Sequence, residues 1–272
     1  MAAPAGHAPL PYRPTGAGEG LLLPTGMQAG MMPGHGRLRP WELRAARLFD
    51  PADAEVAADF FAAPRRDVEL RVCAGGAAAA DWDALSALLG RLRGHAPEAV
   101  LRLELGYGDS APSAPSARAI TRLRAARPLF VHACVQGEAD LTPAVRAAWI
   151  RLLNAGVPVA AEILLRRGSA DTVDSLRRLC LDLQEARVRP YVLVDAAWLP
   201  DAERVPAADI MNLMRGLRGW ISGVAVPQWV EETAGGARTV RIPPYVTRLD
   251  ASGAELVGYE GRRHRYPNPP EE

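Results

Sequence analysis

The sequence predicts an α/β protein: a partial, open β/α barrel with a β-rich C-terminal cap. Three observations lead there. From residue 67 onward, apolar β-rich segments alternate with segments whose apolar residues recur at helical spacing. Single helices between such strands imply right-handed crossovers and a parallel sheet. Five strands are found this way, with 19–24 as a candidate sixth, which is too few to close an eight-fold barrel.

Each element has a local reason. DVELRVC (67–73) alternates in polarity and is rich in β-formers. DWDALSALLGRLRG (81–94) carries leucines at helical spacing and ends on glycine. AVLRLEL (99–105) is the second strand, SARAITRLRAA (116–126) a helix and PLFVHACV (128–135) the third strand. In TPAVRAAWIRLLNAG (142–156), Thr142 is the expected N-cap, Pro143 occupies the first turn where no N–H is needed, and Gly156 ends the helix. VPVAAEILL (157–165) is the fourth strand, DTVDSLRRLCLDLQEA (171–186) a helix capped by Asp171, and VRPYVLVDA (188–196) the fifth strand. AERVPAADIMNLMRGLRG (202–219) reads as a helix with an early break at Pro206. After Trp220, GVAVPQWV, PPYVTRLD and AELVGYEG read as short strands joined by turns. The expected organisation is a disordered tail over 1–18, a barrel over 19–219 and a β-rich extension over 220–272.

Composition narrows the function. Hydrophobic residues make up 49% of the chain, enough for a real core. No apolar run approaches the roughly 18 residues of a membrane helix. The first residues lack a basic start and are broken by proline and glycine, so no signal peptide is expected. A net charge of +1 gives no reason to expect capture of nucleic acid. All 32 basic residues are arginine. No side chain therefore offers the primary amine that a Schiff base with an aldehyde cofactor requires. Cys73, Cys134 and Cys180 are too far apart for a CxxC motif and read as buried, reduced thiols of a cytoplasmic protein.

A family resemblance is carried mainly by residues 188–266. There VRPYVLVD, GLRGWISGVAVPQWV, GGAR, PPYV and YEG resemble the lysine 2,3-aminomutase family of radical S-adenosylmethionine enzymes. RDVELRVCAGG, LTPAVRAAWIRLLNAGVPV and ILLRRGSADTVDSLRRL resemble its earlier βα units, so the likeness runs over 19–266. It implies a six-unit partial barrel of the radical S-adenosylmethionine type. It also implies a [4Fe–4S] cluster on three cysteines, S-adenosylmethionine on the cluster's open iron, pyridoxal phosphate held as an aldimine on a lysine, and migration of an amino group by radical rearrangement.

The resemblance also places the sites. Setting LLLPTGMQAGMMPGHGRLR on the family's cluster loop puts Gln28, Met32 and His35 at the three cysteine positions, with Arg37 and Arg39 resembling the basic residues behind the third. An amide and a thioether are poor ligands for such a cluster. Gly75 and Gly76 match the glycines of the S-adenosylmethionine turn, but Ala77 follows where the family has an acid; the alternative is a tight strand exit. Arg238 falls at the pyridoxal phosphate lysine. Its guanidinium can clamp phosphate or carboxylate but cannot form the aldimine, and a solvated loop arginine is the alternative. Of the two acids that bind the substrate amine, Ala197 stands at the first position and Glu232 keeps the second. Asp195 could substitute for the missing acid if its strand reaches far enough. Met27, Met31, Met32 and His35 form a soft set able to hold Cu(I), or a loop of methionines resting on the barrel mouth. His132 resembles a family histidine and either lines the mouth or is a hydrogen-bonded core residue.

The expectation is a lysine 2,3-aminomutase-like protein with no catalytic residues. It would hold no cluster, metal, S-adenosylmethionine or pyridoxal phosphate, and would act as a non-catalytic partner or scaffold subunit, as a homo-oligomer or with another protein. One alternative is a small-molecule binder that holds an amino acid or a phosphate ligand in the remnant pocket through Gly75, Gly76, Glu232 and Arg238. Another is an aminomutase-type isomerase that works with a partner. Neither nucleic acid nor a membrane is expected as a partner.

Overall fold

The computed structural model describes residues 22–24, 39–44, 68–75, 81–95, 97–106, 114–197, 199–232, 238–240, 246–250, 253–257 and 262–267. The main sheet holds β1 (Leu22–Pro24), β2 (Arg39–Arg44), β3 (Val68–Gly75), β4 (Val100–Gly106), β5 (Leu129–Val135), β6 (Val159–Leu165), β7 (Arg189–Ala196), β8 (Gln228–Glu232) and β9 (Arg238–Val240), side by side in chain order. Strands β2 to β8 are all parallel. The edge strands β1 and β9 run antiparallel to their neighbours. The strand order is linear rather than circular, so the fold is an open α/β barrel. The described helices are α1 (Trp82–His95), α2 (Ala117–Ala125), α3 (Pro143–Asn154), α4 (Val173–Glu185) and α5 (Ala207–Leu217). None of them is long and apolar enough to cross a membrane.

Strands at both ends of the main sheet differ from the sequence reading. The segment around 19–24 enters as an antiparallel edge, and the first parallel strand is RPWELR at 39–44. The residues expected to form the cap divide between two sheets. Gln228–Glu232 is the seventh parallel strand, reached from β7 through α5 by the same crossover logic as the others. A separate antiparallel sheet holds β10 (Val246–Asp250), β11 (Gly253–Val257) and β12 (Arg263–Pro267).

Helix ends follow their side chains. Thr142 caps α3 by accepting from the Val145 N–H at 3.3 Å, with Pro143 in the first turn. Gly156 follows the helix at φ 74°, a left-handed conformation that glycine adopts without a Cβ penalty. The cap of α4 is Thr172 rather than Asp171: Thr172 and Ser175 form a reciprocal capping box. Asp171 instead accepts from the Gly168 N–H at 2.9 Å and closes the preceding turn. The break at Pro206 separates α5 from a single 3-10 turn at Asp201–Glu203.

Alternation along the strands sorts the side chains to two faces. Leu101, Leu103 and Leu105 of β4, Val131 and Ala133 of β5, and Ile163 of β6 pack against Leu85, Leu88 and Leu89 of α1, Trp149 of α3, and Leu176 and Leu179 of α4. On the opposite face, Leu164, Val192, Val194, Ala196, Leu199 and Val230 form a smaller apolar cluster that lines part of the lumen.

Candidate functional site

The lumen face is not uniformly apolar. Arg102 and Glu104 of β4, His132 of β5 and Glu162 of β6 alternate with residues of the helix-facing core, which turns them inward. All four are removed from solvent, Glu104 and Glu162 almost completely. The Arg102 guanidinium ion-pairs with Glu162 and lies 3.0 Å from Glu104 Oε1. His132 Nδ1 lies 2.7 Å from the same Glu162 Oε1 that pairs with Arg102. The Tyr191 ring meets the His132 ring edge-on at 5.2 Å and 83°. Glu162 thus gathers two nitrogen donors from two neighbouring strands, which compensates its desolvation. The histidine is a hydrogen-bonded interior residue.

Toward the C-terminal ends of the strands, Gly75 and Gly106 are register partners, so two neighbouring strands end without a Cβ. The Arg166 guanidinium donates to Gln136 Oε1 at 3.0 Å and pairs with Glu203 at 2.9 Å. Arg167 donates its backbone N–H to the Glu203 carbonyl at 2.8 Å and its Nε–H to the Arg204 carbonyl at 2.7 Å. These contacts tie the turn after β6 to the turn before α5.

The predicted residues fall in three groups. Gln28, Met27, Met31, Met32, His35 and Gly76 lie outside the described residues. Glu232 and Arg238 are brought together: they are Cα partners in the β8–β9 ladder, with Glu232 fully buried beside Ala196. Asp195 goes elsewhere. It pairs in register with Glu231, on the opposite face from Glu232, so it cannot replace the missing acid beside Glu232. It lies 3.9 Å from Arg204 in a cavity on the helix side of the sheet. The cysteines sit on three separate elements, Cys73 on β3, Cys134 on β5 and Cys180 on α4. Burial pushes the Cys180 thiol up to about 12.

Sequence reasoning missed Arg102, Glu104 and Glu162. The signal was present: strands covered on both faces are near-continuously apolar. A charged residue inside LRLEL or AAEIL therefore marks a polar lumen.

An open α/β barrel with a charged, mutually paired lumen defines the class of protein. No family model matches the chain. Individual relatives do. The chain is similar to L-lysine 2,3-aminomutase of Fusobacterium nucleatum, 32% identical over 150 residues, covering 54% of this chain and 35% of that protein. It is similar to the Bacillus subtilis L-lysine 2,3-aminomutase at 31% over 150 residues, covering 54% and 32%. It is also similar to glutamate 2,3-aminomutase of Clostridioides difficile at 26% over 143 residues, covering 52% and 34%. The chain is thus similar to members of the lysine 2,3-aminomutase family, and the match spans about a third of the length of these relatives. Among solved structures, the carboxyl transferase domain of Rhizobium etli pyruvate carboxylase covers 66% of this chain at 15% identity, with a TM-score of 0.39.

Proposed function

We propose that this chain is a member of the lysine 2,3-aminomutase family that has lost its cluster and pyridoxal phosphate sites and serves as a non-catalytic partner or scaffold subunit. The observation that carries this reading is the placement of its thiols. Three cysteines on two strands and a helix do not share one loop, whereas a [4Fe–4S] cluster needs three thiolates folded around its iron corners. The donor set at the family's cluster positions, an amide, a thioether and an imidazole, does not fit such a cluster. Pyridoxal phosphate does not fit either. Arg238 stands at the lysine position, and no residue of the chain is lysine. S-adenosylmethionine would have the Gly75–Gly106 edge beside it but no iron to anchor it. No radical step is assigned to this chain.

The test is anaerobic reconstitution of the full chain with iron and sulfide, followed by assay of β-lysine formation from lysine and affinity purification from the native host. The expected outcome is no stoichiometric iron, no β-lysine, and a homo-oligomer or a co-purifying protein. Visible charge-transfer absorption with stoichiometric iron would overturn the reading.

A second reading is favoured by the Glu232–Arg238 register pair. It is a remnant pocket that holds an amino acid or a phosphate ligand between an acid and a guanidinium. Thermal-shift measurements with amino acids, S-adenosylmethionine and pyridoxal phosphate test it. A flat response to all of them sinks it.

A further inference from the structure

Strands β2 to β8 all point the same way, and the helices between them run back. The C-terminal ends of α1 to α5 and the starts of the strands that follow therefore share one end of the barrel. Hydrogen bonds make that end continuous. Arg93, near the end of α1, donates to the Ala126 and Pro128 carbonyls beyond α2. Arg127 donates to the Gly156 carbonyl beyond α3 at 3.0 Å. Arg187, beyond α4, donates to Asn154 Oδ1 at the end of α3 at 2.8 Å.

The charge at this end is one-sided. Arg127 and Arg187 bond neutral oxygens there. Arg91, Arg124, Arg151, Arg189 and Arg215 are exposed at the same end, and none has a carboxylate partner among the described residues. Against these seven stand the carboxylate of Glu185 and five helix C-termini, which bring about −0.5 charge each and leave roughly half of the positive charge uncompensated. Including Arg93, Arg218 and Glu98, which also lie there, raises the excess. The acids gather at the opposite end, with Asp81, Asp171, Asp174, Asp201 and Asp209 beside the helix starts. The overall charge of +1 thus conceals a chain polarised along the barrel axis.

The basic end also exposes apolar side chains. Trp220 is 69% and Val224 60% exposed, both on the loop from α5 to β8. Gly219 turns that loop at φ 82°, and the Arg177 guanidinium lies 5.6 Å from the centre of the Trp220 ring. Guanidinium groups suit phosphate oxygens, tryptophan favours the headgroup level of a bilayer, and an aliphatic side chain gains by entering the acyl boundary. A nucleic acid would use the arginines and the indole but would give Val224 no role.

We propose that this end of the barrel is a docking surface for an anionic phospholipid bilayer, with Trp220 and Val224 entering the headgroup region and the surrounding guanidinium groups pairing with lipid phosphates. The contact lies on the bilayer rather than across it, and it does not depend on the partner-subunit reading.

Flotation of the full chain with vesicles of phosphatidylcholine, alone or in equal parts with phosphatidylglycerol, tests it. The expected result is binding to the mixed vesicles only, weakened by added sodium chloride and accompanied by a blue shift of tryptophan emission. Arg151→Gln and Arg215→Gln are each expected to weaken binding roughly 5-fold, the worth of one basic residue at such a surface. Trp220→Ser is expected to weaken it and to remove the blue shift. Arg118→Gln, in the first turn of α2 at the acidic end, is expected to change nothing. Circular dichroism verifies that each variant folds. Absence of flotation, equal binding to both kinds of vesicle, or a loss in Arg118→Gln as large as in Arg151→Gln would overturn the proposal. So would a single-stranded RNA that strips the chain from the mixed vesicles, which would assign this end to nucleic acid.

Discussion

His132 Nδ1 and Glu162 Oε1 lie 2.7 Å apart inside the sheet, and Arg102 pairs with that same oxygen. The contact makes Glu162 the hinge of the lumen's electrostatics. Glu162→Ala leaves the Arg102 guanidinium with less compensation in a site away from water, and breaking such a buried pair costs about 3–5 kcal/mol. Urea denaturation is expected to show a loss of this size. A change below about 1 kcal/mol would mean that solvent reaches the pair freely.

Thr142 supplies the side-chain acceptor for the first turn of α3. Thr142→Ala is expected to lower stability by about 1 kcal/mol, and Thr142→Ser to restore most of it. Thermal denaturation of the two variants makes the comparison. Equal losses would show that the hydroxyl is not what matters.

Gly216 allows α5 to approach α4. A Cβ there would lie 2.6 Å from both γ-carbons of Val173, a stiff β-branched side chain at the start of α4. Gly216→Ala gains up to about 1 kcal/mol of helix propensity. The overlap costs typically 1–3 kcal/mol, so the expected net effect is destabilising. The double variant Gly216→Ala, Val173→Ala is expected to recover part of the loss, which a denaturation cycle measures.

Cys180 gives a pH prediction. Its folded thiol stays neutral up to about 12, against an ordinary value of 9.0, because burial disfavours the thiolate. The unfolded chain ionises first. Stability is therefore unaffected below pH 9 and falls as pH rises from 9 toward 12, by at most about 1.4 kcal/mol per unit. Cys180→Ala removes that component of the alkaline loss, as denaturation series at pH 8 and pH 10.5 would show (both values are about one unit or more from the ordinary thiol value). Thiol reagents are expected to leave Cys180 unmodified in the native protein.

Much of the fold was legible because its signals are local. Leucine spacing, Thr142, Pro143 and Gly156 each state their conformation within a few residues, and the helices fall where those signals put them. The choice of Asp171 over Thr172 failed because both residues can cap, and only the capping box with Ser175 separates them. Strand β2 was missed because RPWELR mixes proline, charge and apolar residues. Its strand character rests on pairing with β3, 24 or more residues away. Strand β8 was assigned to a cap because its partner, β7, lies beyond an intervening helix. The site was less legible than the fold. Glu232 and Arg238 are near neighbours in sequence and are Cα partners across the β8–β9 ladder, but the lumen cluster joins β4, β5 and β6. Nothing local announces that Arg102 will find Glu162, 60 residues on.

Every ladder in both sheets joins strands that are consecutive along the chain. A polypeptide emerging from the ribosome never has to wait for a distant segment before its newest strand can dock. Each one arrives to find its neighbour already made. Assembly of this kind proceeds vectorially, keeps loop-closure entropy small at each addition, and leaves only one growing edge open to wrong partners at a time.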